Sequence, residues 1–175
     1  MAYFEKEGIV KYIISKHKQV KKYDISPIKL QKSLYFLYSM WAGNAKNVNK
    51  DIFESNEGVC EYYSKLDVDL FEPSFEAWKY GPVDRDIYYN FRNEVYDDID
   101  ENYELPFDGI ENLEGELVTF INSILEQTFE ISDFSLVDMT HLDESWKRVY
   151  HSNPSGTGKM DKEDIIAEYA EKLKC

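Results

Sequence analysis

The sequence has little of what builds disulfide frameworks, metal centres or membrane spans. Its two cysteines, Cys60 and Cys175, lie far apart without CxxC spacing, so neither a disulfide framework nor a zinc knuckle is indicated. No apolar run approaches the roughly 20 residues that cross a bilayer, and the N-terminus lacks the apolar core of a signal peptide. We therefore expect a soluble, cytoplasmic protein that does not contact a membrane.

Residues that would indicate enzyme chemistry are also scarce. The chain has three histidines, and no serine lies in a GxSxG elbow. His141, followed by Asp143 and Glu144, could act as an acid, a base or a metal ligand, but no second His or Cys at ligand spacing completes a site. A hydrogen-bonded histidine that orients a helix junction is the favoured interpretation. We expect His17 at the surface among lysines, His151 at a helix end, no cofactor and no enzyme activity, with a hydrolase using His141 as a remote alternative.

The loop NPSGTGKM at 153–160 resembles a phosphate-binding loop without matching it. That pattern requires a first glycine and a serine or threonine after the lysine, where this chain has Asn153 and Met160, and no hydrophobic strand precedes the loop. We expect a flexible loop between helices, and a weak anion contact at the following helix start stays open.

Charge is unevenly distributed along the chain. The formal net charge is −14, yet residues 1–50 carry ten lysines and three acidic residues, a local +7, and residues 51–175 carry −21. The lysines could contact nucleic acid, but they come without arginines or base-reading side chains, and the rest of the chain would repel phosphate. We therefore expect no direct nucleic-acid binding.

The densest negative charge lies in residues 94–116, here called the acidic segment, which holds ten carboxylates and no lysine or arginine. One interpretation is a solvated, partly mobile connection. The other is a docking surface for a basic partner, acting by steering or by imitating nucleic-acid phosphates. Interleaved apolar side chains indicate that part of the segment is tethered to the core. The candidate partner-binding residues are Asp97, Asp98, Asp100, Glu101, Tyr96 and Tyr103.

Hydrophobic periodicity predicts a mainly α fold, a compact single-domain bundle of about six to eight helices with a short β-hairpin or strand near 70–80. The first helix, at 4–18, is amphipathic and basic. Ser26 and Pro27 begin a second helix, apolar over most of its girth, which we expect at the centre and ending at Gly43. A polar insertion follows at about 44–69, within which a short helix is an option. Further helices are predicted after Val83, at 113–127, from Ser135 through Met139, from Asp143 or Ser145, and after a cap at Asp161.

Three sequence blocks stand out from this background. The first motif is IKLQKSLYF at 28–36, the second is FEAWKYGPV at 75–83, and the third runs from Leu136 through His141 to Trp146. In the second motif Trp78 and Tyr80 share one face of an extended segment, and Gly81 with Pro82 predicts a sharp turn into a helix start. We expect Trp78, Tyr80 and Trp146 to pack in the core.

Together the three motifs resemble the Panacea domain of GepA-like and SocA-like phage-associated antitoxins, over roughly residues 4–173. The third motif departs from the family pattern, which commonly has proline before the tryptophan where this chain has Ser145. The long insertion at 44–69 and the acidic segment are further departures. The residues that carry the resemblance, expected to form the scaffold, are Lys29, Leu30, Gln31, Lys32, Leu34, Trp78, Tyr80, Gly81, Pro82, His141 and Trp146.

The resemblance implies one Panacea-like domain over 1–175, mostly helical, without known enzymatic chemistry and with a protein partner. A toxin would be neutralised by direct complex formation or delivered to a protease. The alternative is a phage- or mobile-element-encoded inhibitor of a host defence nuclease that uses its acidic surface. Homo-oligomerisation stays open.

Overall fold

The computed structural model describes residues 1–55, 68–153 and 155–174, with backbone only at 48–55. Cys60 and Cys175 lie outside these ranges. None of the described helices is long and apolar enough to span a membrane. The helices are α1 (Lys6–Lys21), α2 (Pro27–Ser55), α3 (Arg85–Arg92), α4 (Glu114–Glu130), α5 (Asp133–His141), α6 (Glu144–Ser152) and α7 (Lys162–Lys172). The strands are β1 (Phe75–Trp78), β2 (Gly81–Asp84) and β3 (Gly158–Lys159). The predicted mainly α fold with a short β segment is confirmed.

Helix α2 occupies the centre, as predicted. It packs against α1, α4, α5 and α7 as well as the hairpin. Its start is confirmed, because the Ser26 hydroxyl accepts a hydrogen bond from the Lys29 N–H at 3.0 Å. Leu30, Leu34 and Leu37 have no exposed surface. Because neighbours surround the helix, even its polar side chains at 29–33 are buried.

The predicted end of α2 at Gly43 is wrong. The helix continues to Ser55, and Gly43 faces α7. A Cβ at this position would lie 2.7 Å from the Tyr169 carbonyl carbon and 2.9 Å from the Ala170 nitrogen. The glycine therefore allows two helices to approach closely. The first part of the predicted polar insertion at 44–69 is helical as a result, and its residues 56–67 lie outside the described ranges.

The sheet has the strand order β2-β1-β3, with both pairs antiparallel. Gly81 and Pro82 begin β2 and do not lead directly into a helix, so the second motif is a hairpin. Helix α3 starts only after Asp84, whose carboxylate accepts the Ile87 N–H at 3.2 Å. The predicted loop at 153–160 contains strand β3. This strand has only two residues, Gly158 and Lys159, and is too short to give a recognisable sequence pattern.

The remaining helix starts are close to the predictions. Asp161 caps α7, and α6 begins directly after Asp143. Helix α5 begins earlier than predicted, because Ser132 is the cap and its hydroxyl accepts the Ser135 N–H at 3.2 Å. Helix α4 starts at Glu114 after a 3₁₀ turn.

The expected surface position of His17 is wrong. Its ring is buried, with its centroid 5.2 Å from that of Tyr23 and 4.9 Å from that of Phe129, both edge to face. Burial lowers the pKa of His17, and the Tyr23 carbonyl, 3.2 Å from Nδ1, opposes this effect. Phe129, which covers the ring, belongs to α4, so composition alone misplaced this side chain.

Candidate functional site

The hairpin turn between β1 and β2 is held by side chains of the third motif. The Trp146 indole Nε1 donates to the Trp78 carbonyl at 2.9 Å, and His141 Nε2 lies 3.0 Å from the Lys79 carbonyl. The His141 ring stacks on Trp146 with centroids 4.3 Å apart. The predicted role of His141, a hydrogen-bonded residue at a helix junction, agrees with this position between α5 and α6.

The first motif supports the same turn from the core side. Lys32 is buried, and its ammonium donates to the Pro82 carbonyl at 2.9 Å. Gln31 pairs with the Asp84 backbone, donating to its carbonyl at 3.1 Å and accepting from its N–H at 2.9 Å. Because burial removes water from Lys32 without supplying a carboxylate, the pKa of Lys32 falls to about 7.

A third group fixes the end of β2. The Asp84 carboxylate is buried and accepts from the Lys6 ammonium at 2.6 Å as well as from the Ile87 N–H. Lys29, the other lysine of the first motif, binds elsewhere. Its ammonium donates to the carbonyls of Thr128, at 3.1 Å, and Ile131. The first motif therefore joins α2 both to the hairpin and to the end of α4.

Gly81 lies where no side chain fits. Its φ is +98°, and a Cβ would lie 2.3 Å from the Thr140 hydroxyl oxygen and 2.9 Å from Lys32 Cε. A left-handed alanine costs about 1–2 kcal/mol, and overpacking adds a similar amount. The hairpin turn and helix α5 are therefore in direct contact.

Gly81→Ala is expected to lower the free energy of unfolding by about 2–4 kcal/mol, measured by urea denaturation. Gly109→Ala is the matched control, because Gly109 also has a positive φ of +82° but nothing lies within 4 Å of its Cβ position. That variant should lose only the backbone contribution, about 1 kcal/mol. Equal losses at the two sites would contradict a steric role for the contact with Thr140.

Asp143 joins three helices at the other end of the third motif. Its buried carboxylate accepts hydrogen bonds from the hydroxyls of Tyr35, at 2.7 Å, and Tyr169, at 2.8 Å, and from the Lys172 ammonium at 2.5 Å. Burial, and then the nearby negative charge, raise the pKa of both tyrosines well above the usual value. The carboxylate therefore ties α2 and α7 to the start of α6.

The first N–H groups of α6 are capped by Glu168 from α7. Its carboxylate accepts from Glu144 N–H at 2.7 Å and from Ser145 N–H at 2.9 Å. A proline at 145 has no N–H to donate. Ser145 therefore makes a hydrogen bond that a proline at this position could not make.

The aromatic pair of the second motif is not packed as expected. Trp78 is half-buried, with its Nε1 donating to Glu76 at 2.7 Å and its ring edge to face with Tyr88. Tyr80 lies in the turn and is exposed, so the predicted core position of Tyr80 is wrong. Trp146 is buried as predicted. Because Tyr80 is outside the strand, the two-residue spacing from Trp78 does not place them on one face.

Helix α5 presents apolar side chains to solvent beside this turn. The exposed fractions are 66% for Phe134, 42% for Met139 and 69% for Leu142, against 50% for Tyr80. Phe134 and Asp138 lie four residues apart on the outward face of α5, and Leu142 follows at the same spacing, directly after the helix ends. The sequence patterns did not predict this surface, although Phe134, Met139 and Leu142 are apolar residues close together in the sequence.

The acidic segment has exposed carboxylates on an anchored backbone. Asp97, Asp98 and Asp100 are exposed, and Glu101 lies 3.4 Å from Lys22 of α1.

The two candidate tyrosines of this segment are less accessible. Tyr96 is buried, and its hydroxyl donates to Glu7 at 2.7 Å. Burial raises the pKa of Tyr96, and the hydrogen bond to Glu7 adds to the effect. Tyr103 is half-buried, and its N–H donates to the Ser15 hydroxyl at 3.0 Å. Lys18 binds the Ile99 carbonyl at 3.0 Å, so α1 fixes the segment at several points.

Comparison with known proteins is consistent with this architecture. Residues 60–147 match the family model described as antitoxin SocA-like, Panacea domain. This range contains the second and third motifs and the acidic segment, whereas the first motif lies before it. No curated protein and no solved structure matches the chain.

Proposed function

The chain belongs to the SocA-like antitoxin family with its Panacea domain, and on that premise we propose that it neutralises a toxin protein by direct complex formation. Family membership is the observation that carries the proposal. The polar side chains of the first motif support it, because Gln31 and Lys32 are used in hydrogen bonds to the hairpin that hold the fold. Binding by a preformed surface needs no further chemistry.

The four carboxylates at 97–101 are proposed to attract the toxin. They are exposed, close in sequence and attached to a backbone that α1 holds in place. Such a fixed patch of one sign raises the association rate with a basic partner, and salt screens the effect. On this proposal the acidic segment acts mainly before the complex is formed.

Reversing the charge of Asp97, Asp98, Asp100 and Glu101 to lysine is expected to slow association with the toxin at least tenfold at low salt. The protein tested as the toxin is the product of the adjacent gene, and its binding is followed by surface plasmon resonance at several salt concentrations. The matched control reverses four exposed carboxylates elsewhere: Glu5, Asp86, Glu126 and Glu163. Equal association rates for the two quadruple variants would contradict steering by the acidic segment.

Growth rescue tests the function itself. Co-expression of the wild-type chain should restore growth of cells that make the adjacent toxin, and the two proteins should co-purify. If no neighbouring product is toxic and no complex forms, the proposed function is wrong.

An inhibitor of a defence nuclease is the second candidate, favoured by the exposed carboxylates of the acidic segment. It predicts inhibition of a purified nuclease that is lost on charge reversal at 97–101, without any requirement for a toxin.

A further inference from the structure

We propose that the toxin is held by a second surface, formed by the hairpin turn and the outward face of α5 and here called the apolar docking surface. It comprises Tyr80, Phe134, Asp138, Met139 and Leu142. The inference rests on the proposed function, because it identifies where the partner of that function binds. In this proposal the apolar docking surface contacts the bound toxin, whereas the acidic segment speeds its association.

The turn that carries Tyr80 is fixed before any partner arrives. The carbonyls of Trp78 and Lys79 contact Trp146 and His141, and Lys32 binds the Pro82 carbonyl. A surface whose backbone is already ordered loses little conformational entropy on binding, which favours affinity. The three motifs therefore fix the position of a tyrosine that is itself half in solvent.

The last turn of α5 adjoins the hairpin turn. His141 reaches the Lys79 carbonyl, and Thr140 occupies the space beside Gly81. The exposed Leu142 follows directly, with Met139 one helical turn before it. Exposed apolar groups collected on adjoining elements are typical of protein interaction sites, and tyrosine is frequent among the residues that dominate binding energy.

The charge on this surface indicates the chemistry of the partner. Asp138 is exposed between Phe134 and Leu142, and no ion pair is formed by its carboxylate within residues 1–47, 68–153 and 155–174. Lys79 lies at the edge, its ammonium 5.5 Å from the centroid of the Tyr80 ring. The complementary occupant is a toxin segment with apolar side chains on both sides of one lysine or arginine, which pairs with Asp138.

The variants Tyr80→Ala, Leu142→Ser and Asp138→Lys test the surface with the purified adjacent toxin. Each should weaken binding at least tenfold, mainly by faster dissociation, because contacts made after encounter determine the lifetime of a complex. Melting temperatures should stay within a few degrees of wild type, since the three side chains are exposed. Matched controls are Tyr89→Ala on α3, 46% exposed, and Val20→Ser on α1, 49% exposed, which should bind as wild type.

The outcomes separate this inference from the function on which it rests. If the wild-type chain forms no complex with the toxin, the proposed function fails and the docking surface with it. If the wild type binds and all three variants bind equally well, only the docking surface is wrong. If the variants instead convert a dimer of this chain into monomers and leave toxin affinity unchanged, the surface serves self-association and the inference is likewise overturned.

Discussion

Lys32→Met is expected to remove a large part of the pH dependence of stability on the alkaline side of neutrality. In the folded chain the Lys32 ammonium is buried against the Pro82 carbonyl, and its pKa is about 7 instead of 10.5. The unfolded chain therefore binds one more proton between these two values, so stability rises with pH over this window and is lowest below it. The full difference corresponds to roughly 5 kcal/mol.

The measurement is urea denaturation of both proteins at pH 7 and pH 9. Wild type should gain roughly 2 kcal/mol relative to Lys32→Met between these conditions, because other titrations are common to both chains and cancel. Lys46→Met, which removes an exposed lysine of the same helix, is the control and should parallel wild type. Parallel curves for Lys32→Met and wild type would show that Lys32 keeps its charge in the folded protein.

Asp143→Ala is expected to lower the free energy of unfolding by roughly 3–5 kcal/mol, a large share of the total for a small domain. The hydroxyls of Tyr35 and Tyr169 lose their shared acceptor inside the protein, and each unsatisfied buried group costs about 1–3 kcal/mol. Lys172 is partly exposed and can turn to solvent, so it adds less. Thermal and urea unfolding measure the loss.

A variant that lacks both tyrosine hydroxyls tests whether the unpaired hydroxyls cause this loss of stability. In Tyr35→Phe/Tyr169→Phe, Asp143→Ala should cost about 2 kcal/mol less than in the wild-type chain, because no buried donor is left unpaired. The same cost in both backgrounds would mean that lost packing, and not lost hydrogen bonding, accounts for the effect of the substitution.

Signals that repeat along the chain predicted the fold well. The apolar girth of the second helix correctly predicted its central position, and Ser26 and Asp161 marked true helix starts. Gly43 gave a wrong prediction, because a single glycine in the sequence looks the same whether it ends a helix or lets a neighbouring helix pack closely against it. Only the position of α7 distinguishes the two cases.

The candidate site was less predictable, because burial of polar side chains depends on distant partners. Lys32 was recognised as part of a motif, yet its acceptor lies 50 residues away in the hairpin. His17 was misplaced for the same reason, since Phe129 that covers it belongs to α4. For Tyr80 the error was the opposite one, since it was expected in the core and is exposed. A shift of one residue decides whether a side chain belongs to a strand or to its turn.

The central position of α2 also determines when the chain can complete its fold during synthesis. The acceptor of Lys32 is added 50 residues after it and that of Tyr35 108 residues after it. Until those segments leave the ribosome, a helix that is apolar on nearly every side has no cover, and such chains attract chaperones and proteases. A nascent chain that stops before α7 would therefore leave this helix uncovered, and we expect proteases to remove it.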